Sequence, residues 1–204
     1  TLFVGLEDTK AMIQCGTDGW RAIIAEDFTF NNLRLVTQAV ANGLNAQRNG
    51  DKHPSVVIGY DTRFLSDRFA IDVARVMAAN DIVAWLTRTD APTPAISYNV
   101  IEKKADAGII ITASHNPPRY NGFKLKANYG GSATPEQSAQ IEAELKKLDG
   151  DITRVKLMDY EQALTEEKIL RFDPSWVYYQ HLTDLIDLDM ISRSELSIVA
   201  DAMW

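Results

Sequence analysis

Three short runs of almost continuously apolar residues alternate with segments of helical periodicity, and this alternation constrains the fold most. The runs are rich in Val, Ile and Ala and comprise residues Ser55–Tyr60, 81–87 and 107–112. Strands that are apolar on both faces must be covered on both faces, as in the parallel sheets of α/β proteins. The pattern therefore predicts a three-layer α/β/α sandwich.

Periodicity and capping signals predict helices before, between and after these runs. Apolar residues at three- and four-residue spacing predict an amphipathic helix over residues 32–47, and a capping box predicts a later helix that ends near Leu148. Proline at the first helical position supports two of the predicted helix starts. The predicted N-caps are Asn31 or Asn32, Ser66, Thr93 and Thr134.

The charge balance excludes some classes of partner. The 204 residues include 21 Lys and Arg against 28 Asp and Glu, a formal charge of −7. This disfavours nonspecific binding to nucleic acid or to an anionic membrane, and no apolar run approaches the roughly 20 residues that span a bilayer. The single cysteine, Cys15, cannot form an intramolecular disulfide, which favours a cytoplasmic location.

Ser114, His115 and Asn116 follow the run at residues 107–112 almost directly, before two prolines. Ligands of open α/β sheets bind beyond the carboxyl ends of the strands, where this triplet is expected to lie. Gly122 permits close backbone approach. The nearby basic residues, which favour phosphate binding, are Arg119, Lys124 and Lys126. A plain turn, in which Ser and Asn bond their own backbone, is the alternative interpretation.

Two further polar stretches allow more than one interpretation. Residues 15–21 place two glycines beside Arg21, whose guanidinium could contact an anion, although a plain turn explains the stretch better when it is taken in isolation. Asp61 and Arg63 follow the first apolar run and form either a structural ion pair or part of a pocket. Because no G-x-S-x-G motif is present, Ser114 is interpreted as a phosphate carrier rather than an acyl nucleophile.

Four stretches together resemble the α-D-phosphohexomutases, specifically the phosphoglucomutase/phosphomannomutase group. They are GTDGWR at residues 16–21, GYDTR at 59–63, PTPA at 92–95 and TASHNPPRYNGFK at 112–124. Their order and spacing match that group, and the serine motif is highly specific. The resemblance covers residues 15–148 strongly, and it implies a mostly parallel mixed sheet between two helical layers.

The resemblance also implies an activity and roles for named residues. Such an enzyme moves a phosphoryl group between hexose 1-phosphate and hexose 6-phosphate through a hexose 1,6-bisphosphate, which also serves as activator. Ser114 would be the phosphoserine and, once phosphorylated, one ligand of Mg²⁺, whose other ligands lie outside this chain. His115 would support the serine loop. Asn116, Arg21 and Lys124 would bind phosphate, and Lys124 would also assist proton transfer or charge balance.

The family's motifs for the remaining metal ligands, for the sugar and for the second phosphate do not occur in this sequence. We therefore expect residues 1–150 to form the first domain, and residues 151–204 to form a connection and the truncated start of a second α/β domain. A helix is predicted over residues 174–186 and a strand over residues 196–201. The isolated chain is expected to be inactive without the missing C-terminal domains, and to be capable of self-association.

Some alternatives remain open at this stage. A serine-dependent phosphatase or hydrolase, and a noncatalytic binding module that retains the fold, are the two rival functions. The sequence does not decide between glucose and mannose phosphates. Three aspartates are expected to be solvated rather than to bind the catalytic ion, and two histidines are expected to be surface or packing residues: Asp184, Asp187 and Asp189, and His53 and His181.

Overall fold

The computed structural model describes residue 13, residues 19–48, residue 50 and residues 52–201. Within these residues a six-stranded mixed sheet has the order β1-β5-β4-β2-β3-β6. Strands β4, β2, β3 and β6 pair in parallel, whereas β5 is antiparallel to both β1 and β4. The strands are β1 (Trp20–Ile23), β2 (Ser55–Tyr60), β3 (Val83–Thr87), β4 (Ala107–Ile111), β5 (Tyr120–Ala127) and β6 (Ile169–Phe172).

Helices cover both faces of the sheet. The helices are α1 (Phe30–Ala46), α2 (Ser66–Ala79), α3 (Thr93–Glu102), α4 (Pro135–Leu148), α5 (Tyr160–Thr165), α6 (Ser175–Leu185) and α7 (Leu188–Ser192), with a short 3₁₀ helix at Ile152–Arg154. Helix α1 packs on α2 and α4 on one side, and α3 packs on β2, β4 and α6 on the other. The predicted three-layer sandwich with a mostly parallel mixed sheet is confirmed.

Two apolar cores hold the layers together. The larger core lies beneath α1 and α2, where Phe28 stacks on Trp20 at a ring-centroid distance of 4.7 Å and meets the edge of Phe69 at 4.9 Å. The smaller core lies beneath α3 and includes Ile96 and Ile110. Each fully buried aliphatic or aromatic side chain contributes roughly 1.5–3 kcal/mol relative to exposure, so burial on both faces fixes the sheet between its helices.

Three of the predicted helix caps are wrong. Thr29, rather than Asn31 or Asn32, caps α1, because its side chain accepts a hydrogen bond from the Asn32 amide at 3.2 Å. Pro92 and Leu65 occupy the cap positions of α3 and α2, so Thr93 and Ser66 are each one residue inside their helices. The capping box at Thr134 is confirmed, since Thr134 and Gln137 exchange side-chain to backbone hydrogen bonds.

The segment after residue 150 does more than connect. Residues Ile169–Phe172 form β6, which extends the sheet by pairing with β3, although this charged stretch carried no prediction of a strand. The helix predicted over residues 174–186 is confirmed as α6. The strand predicted over residues 196–201 is wrong, because those residues take neither helix nor strand. The boundary near residue 150 remains a prediction.

None of the helices in the described part of the chain has the length and apolar character needed to cross a bilayer.

Candidate active site

The serine loop, residues 112–120, begins where β4 ends at the edge of the sheet. Thr112 and Ala113 are still buried, whereas Ser114 is exposed. Two hydrogen bonds close the turn, from the Ser114 amide to Thr112 Oγ1 at 2.9 Å and from the Asn116 amide to the Ala113 carbonyl at 3.1 Å. The loop therefore presents Ser114 to solvent beyond a fully buried strand.

Ser114 has a left-handed backbone, with φ of 55°. This conformation costs a residue with a side chain about 1–2 kcal/mol, so the surrounding structure must hold it in place. Strained residues of this kind cluster at functional sites. Six other described non-glycine residues also have positive φ, so this backbone is compatible with a plain turn as well as with a functional site.

Arg21, on β1, donates hydrogen bonds to the serine loop. Its Nη1 donates to Asn116 Oδ1 at 2.7 Å and to the Ala113 carbonyl at 3.4 Å. Arg21 stands opposite Gly122 in the antiparallel pair of β1 and β5. A Cβ on Gly122 would lie 2.5 Å from the Thr112 carbonyl oxygen and 3.1 Å from Arg21 Cγ, so only glycine fits here. The expected close backbone approach at Gly122 is therefore present.

Lys124 and His115 occupy different parts of this edge. Lys124 is half-buried on β5, opposite Ile110, and it shares a sheet face with Gly122 because alternate residues of a strand point the same way. Arg21 pairs with Gly122, so both cations lie on that face. His115 is exposed next to Ser114. The structure thus brings Ser114, Asn116 and Arg21 into one cluster, with Lys124 farther along the strand.

Arg63 is bound to the serine loop. Its Nε lies 3.4 Å from Asp61 Oδ2, so the ion pair is present. Its two terminal nitrogens donate to four main-chain carbonyls of the loop, those of Ser114, Asn116, Pro117 and Tyr120. The structural ion pair is therefore present, and its arginine also contacts the serine loop, whereas a role of the pair in a pocket stays a prediction.

Only part of this contact has a signal in the sequence. Asp61 and Arg63 follow β2, which is the parallel neighbour of β4, so both turns lie at one edge of the sheet. The partners of Arg63 are backbone carbonyls, which carry no sequence signature. Thr112 was missed for a different reason, because a threonine at the end of an apolar run is indistinguishable from a residue of the strand.

Several other residues singled out in the sequence lie elsewhere. Cys15 and the rest of residues 14–18 are outside the described residues. Asp187 caps α7 by accepting from the Met190 amide at 2.8 Å. The His181 ring stacks on Tyr98 at 4.2 Å, and His53 Nδ1 lies 3.1 Å from the Asp81 carbonyl. Among the described residues, no three His, Cys, Asp or Glu side chains are grouped to hold a metal ion.

Most of the chain matches known proteins. Residues 12–151 match the family model described as phosphoglucomutase/phosphomannomutase, alpha/beta/alpha domain I. A Staphylococcus epidermidis phosphoglucomutase is 38% identical over 151 residues, which are 72% of this chain and 27% of that protein. A Haemophilus influenzae protein named probable phosphomannomutase is 41% identical over 143 residues, which are 68% of this chain and 29% of that protein.

The chain belongs to the phosphoglucomutase/phosphomannomutase family. It spans less than a third of the length of either relative. A phosphomannomutase candidate of known structure from Thermus thermophilus has a TM-score of 0.75 and 32% identity, covering 89% of this chain and 38% of that one. Parafusin from Paramecium, with a TM-score of 0.74 and 24% identity, shares the fold over 92% of this chain and 38% of its own.

Proposed function

We propose that this chain provides the phosphoserine domain of an enzyme that interconverts hexose 1-phosphate and hexose 6-phosphate, with glucose or mannose as the sugar. The observation that supports this most is the exposed, left-handed Ser114 at the carboxyl end of β4, with Arg21 bound to the same loop. A serine held in that way offers its hydroxyl to a phosphoryl group, and a cation stands nearby to balance the charge.

The proposed transfer exchanges one phosphorus–oxygen bond for another. As a sugar hydroxyl oxygen bonds to phosphorus, the bond between phosphorus and Ser114 Oγ breaks, and the hydroxyl loses its proton. In the return step Ser114 Oγ bonds to the other phosphorus of the hexose 1,6-bisphosphate, and the bond between that phosphorus and the sugar oxygen breaks. The Ser114 hydroxyl gives up its proton and the released sugar oxygen takes one up. Negative charge spreads over the transferring oxygens, so catalysis depends on positioned cations more than on covalent chemistry.

Each cation and amide at this edge has a proposed task. Arg21 and Asn116 bind the phosphate on Ser114, and their mutual hydrogen bond places both beside the loop. Lys124 assists proton transfer or balances charge from the same face of the sheet. His115 supports the loop at the residue after the serine. These assignments follow the family resemblance, and the positions of Arg21 and Asn116 support them.

Magnesium is proposed as the metal, with the phosphate on Ser114 as one ligand. The described residues do not form a metal site by themselves, because no three acidic, histidine or cysteine side chains are grouped. The other ligands are proposed to come from outside this chain. We therefore expect the isolated chain to show no mutase turnover.

The experiment is phosphorylation of the full-length protein that contains this chain by glucose 1,6-bisphosphate, followed by intact-mass analysis and peptide mapping. The expected result is one stable phosphoryl group on Ser114, absent from the Ser114→Ala variant. Ser194→Ala is the matched control, because Ser194 is an exposed serine remote in sequence from the loop, and it should be labelled like the wild type.

Three results would contradict the proposal. Labelling that persists in Ser114→Ala would place the phosphate on another residue. Rapid release of inorganic phosphate, without a stable phosphoprotein, would favour a serine-dependent phosphatase. Failure of the full-length protein to interconvert hexose phosphates with Mg²⁺ would favour a noncatalytic module that retains the fold.

A further inference from the structure

Both terminal nitrogens of Arg63 donate hydrogen bonds within the protein. A guanidinium has five N–H groups. Two on Nη2 donate to the Ser114 and Asn116 carbonyls at 2.6 Å each, and two on Nη1 donate to the Pro117 and Tyr120 carbonyls at 3.0 Å each. The fifth, on Nε, faces Asp61 Oδ2 at 3.4 Å. The side chain is only 14% exposed, and the donors on both terminal nitrogens face main-chain carbonyls rather than an external phosphate.

Further hydrogen bonds hold Asp61, the ion-pair partner of Arg63, in place. Asp61 Oδ1 accepts from the Arg63 amide at 3.0 Å and from Ser66 Oγ at 2.9 Å. Ser66 Oγ in turn accepts from Asn121 Nδ2 at 2.9 Å, and both Ser66 and Asn121 are fully buried. The network joins the first turn of α2 to β5, so Arg63 is held by two elements of the core.

The four carbonyl oxygens converge on one point, where they repel one another unless a cation lies between them. From this geometry we infer that Arg63 is the positioning residue of the serine loop. It holds residues 114–120 in the conformation that exposes Ser114, and it does so without contacting the phosphate. The inference depends on the proposed function, since it assigns Arg63 a part in phosphorylation of Ser114.

Amide hydrogen exchange tests the loop without any ligand. The reporters are the amides of Ser114, Asn116 and Tyr120, each of which donates a hydrogen bond in the loop. In Arg63→Ala their exchange should accelerate about tenfold, because charged hydrogen bonds to the loop are lost. In Arg63→Lys the acceleration should be smaller, because an ammonium has three donors for four carbonyls. Unchanged exchange in Arg63→Ala would overturn the inference.

Kinetics of Ser114 phosphorylation by glucose 1,6-bisphosphate separates positioning from phosphate binding. Arg63→Ala should lower the maximal rate about tenfold and leave the half-saturating bisphosphate concentration unchanged, because Arg63 contacts carbonyls rather than the ligand. Millimolar guanidinium ion should restore part of the rate to Arg63→Ala and none to wild type. A raised half-saturating concentration at an unchanged maximal rate would show that Arg63 binds phosphate, and would overturn the inference.

Arg34→Ala is the matched control. Arg34 also forms a two-pronged ion pair, with Asp72 at 2.6 and 3.2 Å, but on the helical face formed by α1 and α2. It should leave both the exchange of the loop amides and the phosphorylation rate unchanged. If the full-length protein does not interconvert hexose phosphates, the proposed function fails, and the exchange experiment still decides whether Arg63 holds the loop.

Discussion

Replacing Gly122 by alanine should destabilise the protein, because the added methyl group has no room between two strands. Its Cβ would lie 2.5 Å from the Thr112 carbonyl oxygen and 3.0 Å from the Trp20 carbonyl oxygen. Both obstacles are backbone atoms, one on each side of β5, so neither can rotate away. The sheet must separate locally, at the point where Arg21 crosses to the serine loop.

The size of the effect follows from two opposing terms. Overpacking a tight site costs about 1–3 kcal/mol, and obstruction by backbone puts this site at the upper end. Alanine recovers about 0.5–1 kcal/mol of the backbone entropy that a strand glycine loses. The net loss is about 2 kcal/mol, which corresponds to a fall in melting temperature of roughly 4–8 °C for a chain of this size. Thermal unfolding followed by circular dichroism measures it.

Gly43→Ala is the matched control of opposite sign. Gly43 lies in α1, and its added Cβ would have only the Gln140 side chain nearby, at the ordinary contact distance of 3.9 Å. With no obstruction, the gain in helix propensity should stabilise the protein by about 0.5–1 kcal/mol. Equal melting temperatures for the two variants, or a higher one for Gly122→Ala, would refute the reasoning from close backbone contact.

Two further predictions concern α4. Thr134→Ala removes the capping box shared with Gln137 and should lower the free energy of unfolding by about 1 kcal/mol. Urea titration measures this change, and an unchanged free energy of unfolding would show that the cap does not stabilise the protein. Hydrogen bonds from Lys147 and Asn42 lower the pKa of Glu144 below its usual 4.5, so its contribution is present above that value and is lost as the pH falls through the lowered pKa. Glu144→Gln should therefore flatten the acid side of the stability profile, and an unaltered slope would count against this assignment.

The alternation of apolar runs and helical segments predicted the layered fold, and the structure confirmed it. Strands β2, β3 and β4 were found because each is a continuous apolar run, whereas β6 was missed because Arg171 and a charged neighbourhood obscure a strand of four residues. The caps of α1, α2 and α3 were misplaced by one to three residues. Several adjacent polar residues could each have served at α1, whereas α2 and α3 follow Leu65 and Pro92, which make no side-chain capping hydrogen bond.

At the candidate site, the position of Ser114 could be predicted because it depends on local information: an apolar strand must end, and the residues after it lie at the rim of the sheet. The contacts that hold the serine loop could not be predicted from the sequence. Arg21 meets Asn116 across 95 residues of sequence, and Arg63 meets the Ser114 carbonyl across 51. Residue type and periodicity report the burial of each segment, whereas the partners of a guanidinium depend on which strands become neighbours. The sequence thus determined that a hydroxyl stands at the sheet edge, and the order of the strands decided which cations reach it.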